Sequence, residues 1–167
     1  KALVTGGSRG IGLATAIALC EAGYEVVATG LNAAEIAAMP SRAGLKGNIL
    51  DVRDQDAVAA LLASLDRLDA LVNCAGLIRR AGAEFDPAVF SDVLDVNLFG
   101  TMRVCVAAKS LLAASGGAIV NTASMLSFFG GPVVPAYTAS KGGVAQLTKS
   151  LAVAWAADGI RVNAVAP

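Results

Sequence analysis

Residues 5–12 read Thr5-Gly6-Gly7-Ser8-Arg9-Gly10-Ile11-Gly12, with the apolar run Ala2–Val4 before them and a helical pattern after them. Glycine at this spacing, Gly-x-x-x-Gly-x-Gly, meets three demands at once. The chain turns sharply, the backbone can approach a pyrophosphate, and the following helix can pack close to the strand. A helix N-terminus also offers free N–H groups and a partial positive charge to phosphate. A tight structural turn is the competing reading. The strand before the loop and the helix after it favour the ligand.

Working outward, Ile11–Ala22 carries apolar residues at helical spacing (Ile11, Ala14, Ala18, Leu19) and stops at Gly23. Further strands are expected at Glu25–Thr29, Gly47–Val52, Asp69–Asn73, Gly117–Thr122 and Arg161–Val165. Helices are expected at Ala33–Ala38, Gln55–Leu65, Pro87–Val96, Leu98–Ala114 and Tyr137–Ala157, and a loop at Phe128–Pro135. The strands are continuous apolar runs, as burial on both faces requires. The expected fold is α/β: a Rossmann-type doubly wound parallel sheet with helices on both faces, one domain over residues 1–167.

Composition narrows the function. The chain has 167 residues, 56% of them apolar, so it can bury one substantial core. Thirteen Lys+Arg balance 13 Asp+Glu, which argues against a nucleic-acid partner. No uninterrupted apolar run approaches the ~18 residues of a membrane span, so no membrane partner is expected, and no signal peptide is expected ahead of the glycine loop. The absence of histidine removes His-based triads and proton shuttles, and no metal site is expected. Cys20, Cys74 and Cys105 are spaced for neither zinc nor a disulfide framework, which points to free core thiols and the cytoplasm.

Dinucleotide folds often place an acid ~20 residues after the loop, on the ribose 2′-hydroxyl. Here the second strand ends Ala28-Thr29-Gly30-Leu31-Asn32, without one. Arg9 can face a 2′-phosphate, which favours NADP, or stand as a solvated loop arginine. The cofactor is therefore read as NAD or NADP.

Tyr137 and Lys141 stand four apart at the start of a helix, on one face. A phenol alone is a poor base at neutral pH; a nearby ammonium favours the phenolate. Together they can exchange a proton with an alcohol oxygen. Ser124 ends the fifth strand, at the sheet edge where ligands of open α/β sheets bind.

In combination, Thr5–Gly12, Asn73-Cys74-Ala75-Gly76, Asn97, Ser124 and Tyr137-Thr138-Ala139-Ser140-Lys141 resemble the classical short-chain dehydrogenases/reductases, over the whole chain and in order. The resemblance implies Tyr137 as general acid/base, Lys141 easing its deprotonation and binding the nicotinamide ribose, and Ser124 orienting the substrate oxygen. Asn97 would hold a water in a relay toward Lys141. Gly6, Gly10 and Gly12 would cradle the pyrophosphate, with Ser8, Arg9 and Ile11 lining it. Asp51 and Val52 would meet the adenine; Asn73, Ala75 and Gly76 would support the ribose region. A homotetramer is implied too, with Leu98–Ala114 and Tyr137–Ala157 as its helices; Trp155 and its alanine-rich surroundings pack either across that boundary or in the core. The family's usual length implies a further substrate loop and last strand beyond Pro167.

Two stretches, Asn73–Arg80 and Ala123–Lys141, resemble the 2-deoxy-gluconate and gluconate dehydrogenase branch. Arg79 and Arg80 can pair with a substrate carboxylate, or be solvated loop residues. A neutral polyol, a 3-oxoacyl-thioester reductase and a non-catalytic NAD(P)-binding scaffold are the alternatives.

Overall fold

The computed structural model describes residues Lys1–Pro167. Strands and helices alternate as β1 (Ala2–Thr5), α1 (Gly10–Glu21), β2 (Val26–Gly30), α2 (Ala33–Ala37), β3 (Leu45–Ile49), α3 (Gln55–Ala63) and β4 (Ala70–Asn73). Then follow α4 (Pro87–Leu94), α5 (Gly100–Ser115), β5 (Ala118–Thr122), α6 (Pro135–Ala154) and β6 (Arg161–Val165). All six strands are parallel, in the order β3-β2-β1-β4-β5-β6. The doubly wound sheet expected from the sequence is thus observed. Its order reverses between β1 and β4, and a crevice opens beyond the C-terminal ends of strands at such a point.

Burial explains why these segments form these elements. Ala2, Leu3, Val4 and Thr5 of β1 are all buried, as are Leu71, Val72 and Asn73 of β4. The main core lies between the sheet and α3, α5 and α6, joining Leu3, Leu71 and Ile119 to Val58, Leu112 and Leu151. A smaller core under α1 joins Val4, Val26 and Ala28 to Ala16. Local chemistry sets the helix starts. Asp54 accepts from the Ala57 amide ahead of α3, and Asp86 accepts from Ala88 and Val89 ahead of α4, with Pro87 in its first turn.

Three expectations change, and one open choice is decided. The third strand lies earlier than expected, so Asp51 and Val52 fall beyond its end, on the crevice side. The sixth helix starts at Pro135 and ends at Ala154. Of the two readings of Trp155, the core is the one observed: it is 8% exposed, beneath the Lys109 ammonium. Finally, α4 and α5 are continuous through a π-helical turn at Asp95–Phe99. The joined helix, Pro87–Ser115, is long and apolar enough to cross a membrane by length and composition, which a search for uninterrupted apolar runs overlooks. Here it lies on the sheet, with Val104, Cys105, Ala108 and Leu112 fully buried.

Candidate active site

A cavity of about 560 Å³ opens at the crevice. Gly6, Ser8, Arg9, Gly10, Ile11 and Gly12 form one wall, and Asp51, Val52, Ala75 and Gly76 lie on the others. The glycine loop is closed on itself: a Cβ at Gly12 would stand 2.2 Å from the Gly6 carbonyl oxygen. Arg9, at the N-cap of α1, makes no side-chain capping bond, so no side chain at the cap competes for the first-turn amides. Bare helix amides, a close-lying backbone and a cavity of this size fit a dinucleotide pyrophosphate. Asp51 is engaged by Arg53, whose Nη2 lies 2.7 Å away; that bond holds the Asp51 carboxyl below its usual range.

Asn73 does not line this cavity. It is turned into the core, where its amide donates to Asn121 Oδ1 at 2.9 Å; the Asn121 amide in turn donates to Thr148 at 2.9 Å. These groups satisfy one another inside a buried layer. Asn73 therefore supports the crevice through the sheet rather than by touching a ligand.

The second half of the site lies past Gly76. Lys141 is 5% exposed; its ammonium donates to the Thr122 carbonyl at 2.5 Å and lies 5.6 Å from the centre of the Tyr137 ring. A Cβ at Gly76 would come within 3.9 Å of that ammonium, so Lys141 lies just behind the Gly76 wall; Lys141, Tyr137 and Ser124 do not themselves line the cavity. Burial lowers the Lys141 pKa to about 8, with Cys74 opposing. Tyr137 is half-buried on the first turn of α6. Ser124 is 7% exposed just after β5; its hydroxyl accepts from the Leu126 amide at 3.2 Å. Asn97 sits in the π-helical turn and is fully engaged. It bonds both the amide and carbonyl of Leu77, at 2.8 and 2.9 Å, and donates to Ser140 at 3.0 Å. A π-turn presents such a side chain off the regular helical register.

The two arginines separate. Arg79 lines the cavity, with its guanidinium 3.6 Å from Asp92. Arg80 is exposed at the adjoining turn and lies outside the cavity lining.

Three positioning residues escaped the sequence reading. Ser127 donates to the Lys141 carbonyl at 2.7 Å and accepts from the Ser124 amide at 3.2 Å, tying the Ser124 turn to α6. Its spacing of three from Ser124 was the available signal. Glu84 is completely buried; its two oxygens accept from the Arg79 and Tyr137 amides, each at 2.8 Å. Nothing local in the sequence marks it. Glu35 lines the cavity near Ser8 and Leu31.

A family model described as short chain dehydrogenase matches residues 1–167. The 2-dehydro-3-deoxy-D-gluconate 5-dehydrogenase of Bacillus subtilis (strain 168) is 43% identical over 176 residues, covering 99% of this chain and 69% of the relative. The D-threitol dehydrogenase of Mycolicibacterium smegmatis is 40% identical over 177 residues, covering 99% and 68%. The crystal structure of a short chain dehydrogenase from Bacillus anthracis superposes with a TM-score of 0.91 at 31% identity, covering 99% of this chain and 74% of that one.

Proposed function

This chain belongs to the short chain dehydrogenase family and is an oxidoreductase acting on CH–OH groups, and from that premise we propose that its substrate is a sugar acid and that Tyr137 carries the proton. The observation that carries this reading is the Lys141 ammonium, 5.6 Å from the Tyr137 ring behind the Gly76 wall of the dinucleotide cavity, with Ser124 on the neighbouring strand end.

A bound nicotinamide dinucleotide, NAD or NADP, supplies or accepts the hydride. The protein's part is to hold and to move a proton. Tyr137 gives its phenolic proton to the substrate oxygen in reduction and takes it back in oxidation. Ser124 orients that oxygen. Lys141 stabilises the phenolate and reaches the nicotinamide ribose; the Asn97 side chain is spent on Leu77 and Ser140, so its backbone carbonyl is the group that holds a relay water. The Gly6, Gly10 and Gly12 backbone with the α1 amides holds the pyrophosphate, lined by Ser8, Arg9 and Ile11. Asp51 and Val52 flank the adenine; Ala75 and Gly76 shape the ribose wall.

Arg79 is the group for a substrate carboxylate, with Arg80 at the rim. A neutral polyol is the second reading: Asp92, 3.6 Å from Arg79, already answers part of its charge, and the Mycolicibacterium relative is named for a polyol. No metal, nucleic-acid or membrane partner enters the proposal. Three free cysteines suit the cytoplasm. A homotetramer is supported by Phe99, Met102 and Val106, exposed at helical spacing along the α5 side.

Tyr137→Phe tests the assignment. Titration should find cofactor affinity nearly unchanged, while turnover of sugar acids, followed by the absorbance of the reduced nicotinamide, falls by roughly 100-fold or more. Turnover within tenfold of wild type would remove Tyr137 from the mechanism.

A further inference from the structure

No acid stands at the end of β2, yet the fold brings one there. Glu35, in the first turn of α2, folds back over the strand end. Its Oε2 accepts from the Ser8 hydroxyl at 2.9 Å and from the Leu31 amide at 3.0 Å. Ser8, Gly30, Leu31 and Glu35 all line the dinucleotide cavity. Gly30 is what lets them meet: a Cβ there would stand 2.8 Å from Ser8 Cβ and 2.9 Å from Glu35 Oε2. Asn32 accepts from the Glu35 amide at 2.9 Å and fixes the start of the helix that aims the side chain. The other carboxylate oxygen, Oε1, takes no bond within the protein. The carboxylate stays ionised: the Leu31 amide, then the Ser8 hydroxyl, and Arg9 more weakly, hold its pKa below the usual value against burial.

Resting on the reading of this cavity as the dinucleotide site, we propose that Glu35 reads the adenosine ribose and makes NAD the cofactor. Oε1 accepts the 2′-hydroxyl, while a 2′-phosphate would bring about −1.5 to −2 charges against the same carboxylate. The cations on the cavity do not offset this. Arg53 is paired with Asp51 and Asp92, and Arg79 leans on Asp92. Arg9 is the cation left to meet a phosphate, and it shares its charge with Glu35. The NADP preference that Arg9 alone suggests is thereby reversed.

The test is calorimetric titration of the whole chain with NAD, NADP, AMP and adenosine 2′,5′-bisphosphate. None of these titrations needs a substrate or turnover. NAD is expected to bind at least about tenfold tighter than NADP, with AMP favoured over the bisphosphate in the same sense. Glu35→Gln keeps the shape and removes the charge; it should tighten NADP and the bisphosphate by roughly tenfold and weaken NAD, whose 2′-hydroxyl loses a charged acceptor. Glu35→Asp keeps the charge and should keep the preference for NAD. Equal or reversed wild-type affinities overturn the role of Glu35, and so does an unchanged ratio in a folded Glu35→Gln. The wild-type ratio decides the matter even where a variant does not fold. Failure of both dinucleotides and both nucleotides to bind overturns the dinucleotide reading itself, and the inference with it.

Discussion

Lys141 shows at the scale of one residue how burial works against a charged side chain. It is a buried ammonium with one short bond, to the Thr122 carbonyl, and no carboxylate among its partners. Burial disfavours the charged form, which is why its pKa falls to about 8. The unfolded chain holds that proton up to the ordinary lysine value, so between these two pKa values it binds more protons than the folded one. Stability from this group therefore rises with pH across that window and is lowest below it. The cost at neutral pH is about 1–3 kcal/mol, at the lower end if the Thr122 carbonyl compensates well. Lys141→Met should accordingly unfold at a higher denaturant midpoint than wild type at neutral pH while losing turnover. The gap between the two midpoints should close as pH rises through the Lys141 titration. A gap that widens with pH would mean that burial does not govern this lysine.

Among the elements, α6 depends on a partner far away in the chain. It opens with Pro135 behind Val134, which has no capping group, and Glu84 bonds the Tyr137 amide in its place. The same carboxylate holds Arg79, so the arm that follows β4 and the helix that bears Tyr137 share one clasp. Glu84→Ala leaves two part-buried amides without acceptors and should cost about 1–3 kcal/mol in chemical denaturation, with reduced kcat. Glu84→Gln keeps one acceptor and should fall between. Equal stability of all three proteins would deny the clasp its role. Much of the remaining architecture was legible locally. Continuous apolar runs marked the strands, and β6 matches its expected span residue for residue. The glycine loop and the Tyr137/Lys141 spacing point to the two halves of the candidate site. Glu84, Ser127 and Glu35 were not legible because what each does depends on where another segment arrives: Tyr137 for the first, Lys141 for the second, Ser8 for the third. Asn73 misled for the same reason. Its motif says crevice, but strand alternation turns its side chain toward Asn121. The π-turn at Asn97 looks like a break in the sequence because a pattern of regular period does not accommodate one extra residue.

At the scale of the whole molecule, the end of the π-turn and α5 carry Phe99, Met102 and Val106 outward while the other face of α5 covers the sheet. If this stripe is closed by other copies of the chain, light scattering should give a tetramer's mass. Val106→Glu should then yield a smaller species with the cofactor site intact; a monomeric wild type would reject the assembly. The strand order also has a consequence in time. β1 pairs with β2 through Ala2 and Val26, and with β4 through Ala2 and Ala70. During synthesis the first neighbour leaves the ribosome early, and the second only dozens of residues later. Until it does, β1 presents a bare row of amides and carbonyls beside side chains destined for the core. That edge is open to any other extended chain that meets it. The nascent protein is most in need of a chaperone in the interval before Ala70–Asn73 emerges to close its sheet.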